Sequence, residues 1–144
     1  MGLPASGKTT FYRQRLAATH RHVSKDNWPK GSSSKELRQA RELRAALSAG
    51  ESVCVDNTNP SVEDRASVVL IAREYGARVI GYYFSATTRE AIGRNRGREG
   101  RARVPDVAIF TKAKRMALPT RAEGFDELYR VRALDGGQFE TDPM

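Results

Sequence analysis

One cysteine, Cys54, stands in the whole chain, so no disulfide can close within it, and a reducing cytoplasm is the expected setting. Aromatic residues make up only 8%, with a single tryptophan. No apolar run approaches the roughly 18 residues that a membrane helix needs, and no charged-then-apolar leader is expected. Acidic residues are the minority charge: 17 Asp and Glu stand against 25 Lys and Arg, for a net charge of +8. That balance points to anionic partners such as nucleotides, nucleic acid or acidic surfaces. A hydrophobic fraction of 39% is low and a charged fraction of 29% a little high, yet 144 residues suffice for one domain with a real core. A single domain over 1–144 is expected.

What the chain does have stands at its start, in "MGLPASGKTT". Gly2, Gly7, Lys8 and Thr9 complete the pattern G-x-x-x-x-G-K-[ST], a loop that cradles phosphate. Consecutive backbone N–H groups converge there on an anion, and the following helix adds the positive end of its dipole. The lysine reaches the β- and γ-phosphates, and the hydroxyl of Thr9 ligates Mg²⁺. The loop assigns Gly2, Pro4, Ala5, Ser6, Gly7, Lys8, Thr9 and Thr10 to nucleotide binding. The first six residues also fit the lipidation pattern M-G-x-x-x-[ST], but the phosphate loop accounts for Gly2 with more matched positions.

Along the rest of the chain, helix and strand signals alternate. Residues 8–19 read as the helix that the loop opens, and 22–24 as a short strand ending at Lys25-Asp26. Ser33 and Glu36 stand at capping-box spacing ahead of a helix with Leu37, Ala40, Leu43 and Leu47 on one face, closed by Gly50. "SVCVD" at 52–56 has the look of a strand buried on both faces. Asn59-Pro60 starts a helix to about Tyr75, and 77–84 reads as a third strand. Thr87 and Glu90 form a second box opening a helix into "RNRGREGRAR", Pro105 begins another to about Met116, and 128–133 is a last strand. The alternation predicts a parallel α/β sheet with helices on both faces, and the phosphate loop narrows it to the P-loop NTPase type.

Two acids, Asp26 and Asp56, each follow an apolar strand-like run, so each projects from a strand's C-terminal end, the edge where open α/β sheets bind ligands. One would hold Mg²⁺ or its waters, and the other would accept a proton from an attacking hydroxyl; spacing alone does not divide the roles. Arg94, Arg96, Arg98, Arg101 and Arg103 fall within ten residues. Two of them closing on a nucleotide, with the rest as solvated surface, is the expected division. His20 and His22 lack a third ligand and suggest no metal site; Cys54 reads as a core thiol; Trp28 either stacks on a base or packs its loop.

In order along the chain, "GLPASGKTTF", the aspartate of "VSKDNW", "VDNTNPS-EDRA", "GYYF", "RN-x-x-R" before "VP" and "PT-x-x-EGFD" resemble the kinase domain of polynucleotide 5′-hydroxyl kinases and its bacterial P-loop relatives of the AAA-type, ATP-binding kind. The resemblance runs from Gly2 to about Val131. It implies ATP-dependent transfer of the γ-phosphate to a hydroxyl, with Mg²⁺. By position, Lys8 and Thr9 match the loop's lysine and hydroxyl, Asp26 the general base, and Asp56 a required active-site acid. Arg94 and Arg98 match the nucleotide-facing lid. Four departures stand out. Pro29, with Lys30 beside it, occupies the place where such kinases often carry an arginine for the acceptor's phosphate. No D-x-D-x-T phosphatase signature is present, and the loop after Asp26 is short. Finally, the family sets an apolar strand directly before the first glycine, where this sequence has only Met1. A first strand missing from the sequence, supplied in the native protein by further Val-, Ile- or Leu-rich residues, is the expectation. The favoured acceptor is a nucleic-acid 5′ end. The alternatives are a small hydroxylated metabolite, a nucleotide-binding ATPase or regulatory module with no acceptor, and an inactive paralogue.

Overall fold

Helix and strand alternate along most of the chain in the computed structural model, which describes residues 1–144. Helix α1 (Lys8–Arg15) springs from the phosphate loop and stops sooner than the 8–19 expected, because the N–H groups of Leu16 and Ala17 both turn back onto the carbonyl of Tyr12. Strand β1 (Arg21–Val23) leads through a single turn, Lys25–Asn27, to helix α2 (Lys35–Ser48).

The Ser33–Glu36 capping box does not form. Ser34 sits instead at the start of α2 with φ 62°, its side chain capping nothing, and the Glu36 carboxylate accepts from Lys25 Nζ at 2.9 Å. The buried face of α2 is Gln39, Leu43 and Ala46, rotated from the expected stripe, and Leu37 is 68% exposed. Gln39 turns inward because its amide oxygen accepts from the buried Asn57, and a polar group that far inside needs a partner.

Strand β2 (Val53–Val55) and helix α3 (Val62–Glu74) follow, the helix opened by a capping box between Ser61 and Asp64 that the sequence reading did not single out. Strand β3 (Ile80–Phe84) precedes helix α4 (Thr88–Arg96), whose Thr87–Glu90 box forms as predicted. Helix α5 (Asp106–Arg115) starts at Pro105, and β4 (Glu127–Ala133) is the last strand anticipated. A fifth strand, β5 (Phe139–Pro143), was not anticipated and pairs antiparallel with β4.

The parallel pairings are β1 with β2 (His22 opposite Cys54) and β3 with β4 (Phe84 opposite Val131). Alternation along β3 and β4 sends Phe84 and Val131 to Phe11 of α1, and sends Gly81 and Leu128 to Phe125 and Val69 of α3. Helices thus cover both faces, as the sequence predicts. A Cβ at Gly81 would meet the Leu128 side chain at 2.7 Å and the Phe125 ring at 3.0 Å, so a larger residue there must displace one or both.

The β1–β2 and β3–β4–β5 sheets do not join. Between the facing edges of β2 and β3, only Met1 and Gly2 form a bridge. The Met1 amine donates to Tyr82 O at 2.8 Å, Phe84 N to Met1 O at 2.9 Å, and Gly2 N to Thr58 O at 3.0 Å. Beyond that bridge lies a largely apolar cavity of about 550 Å³, lined by Val53, Val55, Ile80, Phe84 and Val69 among others. With this cavity along its edge, β2 is only half-buried rather than covered on both faces.

Candidate functional site

The loop from Gly2 to Gly7 needs unusual backbone. Gly2 has φ 145°, Ala5 61° and Gly7 101°, and a Cβ on Gly2 would come within 2.8 Å of Phe84 Cβ. Strain of this kind at Ala5, on the order of 1–3 kcal/mol, persists only where surroundings enforce it, and it clusters at ligand sites. The loop delivers the free N–H groups of the first turn of α1, where Lys8, Thr9 and Thr10 stand. Within the loop, Ser6 is 1% exposed and its Oγ is buried without a hydrogen-bond partner. An orphaned hydroxyl inside a ring of backbone donors fits a phosphate oxygen.

Lys8 Nζ tucks under this loop, donating to Gly2 O at 3.0 Å and Leu3 O at 2.8 Å. Burial lowers its pKa to about 8; Asp56 and Asp26 pull it back up, while the positive charge of Arg98 pushes it further down. One ammonium therefore feels all three of the other residues expected to act with it.

Asp56 closes β2 and is 7% exposed. Thr9 Oγ1 donates to its Oδ2 at 2.6 Å, so the two candidate Mg²⁺ ligands meet directly. A hydroxyl and a carboxylate are hard oxygen donors of the sort Mg²⁺ takes alongside nucleotide phosphates. No cluster of three or more His, Cys, Asp or Glu side chains offers a closed metal cage.

Asp26 is exposed on the Lys25–Asn27 turn, its N–H donating to Ser24 Oγ at 3.3 Å. Asn57, next to Asp56, holds that turn: its Oδ1 accepts from Lys25 N at 2.9 Å, and its Nδ2 donates to Gln39 Oε1 at 2.6 Å. The base candidate and the metal candidate thus hang from adjoining residues at the end of one strand.

The arginine-rich segment is pinned by Asn95, which is fully buried. Its amide donates to Val104 O at 2.7 Å and accepts from Val104 N at 3.1 Å, closing the loop from both ends. Arg94 Nη2 donates to the carbonyl of Ala133, a residue whose side chain flanks Gly7. Arg98 donates to Ala102 O. Arg96 instead pairs with Asp106 at 3.8 Å, and Arg101 crosses to Trp28 O at 3.2 Å. Trp28 is 4% exposed with the Arg38 guanidinium 4.8 Å from its ring centroid, so it packs its loop rather than presenting a face to a base. Cys54 is half-buried, its thiol pushed up to about 11 by burial, which keeps it protonated.

His22 is the residue the sequence reading undervalued. Its Nε2 lies 3.1 Å from Asp56 Oδ2, and its ring stacks on Tyr12 at 4.3 Å. The signal was the strand register: His22 pairs with Cys54, and Asp56 follows two residues on, on the same face. That register depends on which strands pair, and no local pattern states it.

No helix is long and apolar enough to cross a membrane. Residues 1–119 match the AAA domain family. The chain is 28% identical over 135 residues to a bifunctional polynucleotide phosphatase/kinase of Schizosaccharomyces pombe, covering 91% of this chain and 32% of that protein. It is also 28% identical over 150 residues to a putative bifunctional polynucleotide phosphatase/kinase of Acanthamoeba polyphaga mimivirus, covering 99% and 34%. The chain spans about a third of the length of these curated relatives. With the family match covering most of its length and a phosphate loop that opens a helix at the edge of a parallel sheet, the chain belongs to the AAA domain family, as a P-loop kinase-like domain.

Proposed function

We propose that this domain moves the γ-phosphate of ATP onto the 5′-hydroxyl of a nucleic acid. The observation that carries the reading is the 2.6 Å bond from Thr9 to Asp56 at the foot of the phosphate loop, with the turn of Asp26 held to the adjoining Asn57. A module that only bound nucleotide would have no use for a carboxylate exposed on that turn. The two relatives named above are phosphatase/kinases of polynucleotides, which favours a nucleic-acid acceptor for this chain as well.

In this reading the loop amides and Ser6 bind the phosphates, and Lys8 leaves Gly2 O and Leu3 O for the β- and γ-oxygens. Arg94 and Arg98 close over the same oxygens and offset charge as it builds. Thr9 and Asp56 would hold Mg²⁺, which would supply positive charge against the β- and γ-phosphates. Asp26 takes the proton of the 5′-hydroxyl as that oxygen bonds to phosphorus, while the bond from phosphorus to the β-bridging oxygen breaks and ADP leaves. The remaining contribution is alignment of the two substrates, since phosphoryl transfer asks little covalent chemistry of a protein. Lys30, exposed next to Pro29, and the net charge of +8 supply positive groups for a polynucleotide backbone.

Incubation with γ-labelled ATP, Mg²⁺ and 5′-hydroxyl DNA or RNA oligonucleotides tests this. Label is expected on the oligonucleotide and absent with Lys8→Ala. Label appearing only on small hydroxylated metabolites would move the acceptor class, and ATP hydrolysis with no labelled acceptor at all would refute transfer.

A further inference from the structure

Asp56 Oδ2 is held from two sides. Thr9 Oγ1 donates to it at 2.6 Å and His22 Nε2 approaches it at 3.1 Å. A carboxylate oxygen only accepts, so Nε2 carries the proton in that contact. On the other side of the ring, Asn27 Nδ2 lies 3.4 Å from Nδ1, a donor facing the nitrogen that the Nε2–H tautomer leaves as acceptor. Tyr12 stacks on the imidazole at 4.3 Å with an interplanar angle of 18°, and the Tyr12 hydroxyl donates to His20 O, which anchors the stack.

We propose that His22 is a positioning residue: it fixes the Asp56 carboxylate for the metal and, through Asn27, links that carboxylate to the turn bearing Asp26. The inference rests on the phosphotransfer reading of Thr9 and Asp56. Its physical content is that two donors on one oxygen set the plane of the carboxylate. One donor comes from the phosphate-loop helix and the other from β1, so neither the helix nor the strand can shift without disturbing it. Partners behind a metal ligand commonly govern its affinity in this way. A single path then runs Asn27–His22–Asp56–Thr9, from the acceptor side of the site to the phosphate side.

The test is Mn²⁺ binding, followed by electron paramagnetic resonance in the presence of ADP, with no turnover required. His22→Phe keeps a ring to stack on Tyr12 but has no donor; His22→Gln carries an amide donor at similar reach without the ring. His22→Phe is expected to weaken Mn²⁺ binding about tenfold or more, and His22→Gln to stay within about threefold of the parent. Metal-free ADP affinity should be unchanged in both. Should His22→Phe fail to fold, His22→Asn takes its place, because its shorter amide does not reach Oδ2. Parent-like Mn²⁺ binding by the donor-less variant overturns the role of His22, as does a His22→Gln variant as weak as His22→Phe. If the parent binds Mn²⁺–ADP and Thr9→Ala loses it while His22→Phe does not, only His22 falls. If the parent binds none, the reading of the phosphate loop falls and His22 with it.

Discussion

Lys8 carries a charge that its surroundings resist. Its pKa falls from 10.5 to about 8, chiefly through burial. Between pH 8 and 10.5 Lys8 therefore holds its proton in the unfolded chain but not in the folded one, and its contribution to stability rises with pH across that window, opposed above pH 9 by the buried Cys54 thiol, which ionises first in the unfolded chain. Below pH 8 both states hold the proton and the penalty, roughly 3 kcal/mol, is constant. Denaturant titrations of the nucleotide-free chain should show this rise between pH 8 and 9, and Lys8→Met should abolish it; an unchanged pH profile in Lys8→Met would place the effect elsewhere. In the proposed mechanism the same substitution should lower transfer by about 10²-fold or more, because it removes the ammonium that would offset the developing charge.

At the scale of elements, the segments that bear the proposed site residues are held by buried polar clamps. Arg65 on α3 is 2% exposed, pairs with Glu123 at 2.6 Å, and donates further to Asn59 O, Pro60 O and Ala117 O. It ties the loop after Asp56 to the turn before β4. Removing either partner leaves the other buried and unpaired, so Glu123→Gln or Arg65→Met should cost about 3–5 kcal/mol, with the double change costing less than the sum. Thermal or denaturant unfolding of the three variants checks it. Asn95→Ala should strip the partners from Val104, at about 1–3 kcal/mol, and raise hydrogen exchange in residues 97–104 above the rest. Exchange unchanged there would mean that the arginine segment is held by something else.

Element type was legible in the sequence where the signal is local. The Thr87–Glu90 box, the Pro105 start and the glycines that close helices are short-range chemistry, and the structure agrees. The box at Ser33 was equally plausible locally and lost to a distant competitor: Lys25 captured Glu36, and Asn57 drew Gln39 inward. β5 escaped notice because its exposed residues carry no apolar alternation. For the site, the motif gave Lys8, Thr9 and the loop, and strand ends gave Asp26 and Asp56. His22 was invisible because its partner is set by the pairing of β1 with β2.

Over the whole molecule, the sheet is two pieces that meet at Met1 and Gly2 beside a cavity of about 550 Å³. Along β2, the bonds of Ser52 and Asp56 run to β1, so the backbone groups of Val53 and Val55 turn to the gap; on β3, those of Ile80 do the same. The site sits at the bridged end of this gap, where the phosphate loop, β2 and the Asp26 turn converge. In the proposed mechanism Asp26 is the group that takes the acceptor's proton. The most direct measurement is single-turnover transfer from ATP to a 5′-hydroxyl oligonucleotide by Asp26→Asn, with ATP affinity measured on the same sample. Transfer about 10²–10⁴-fold slower with ATP affinity intact is the predicted result. Transfer at the parent rate would contradict it.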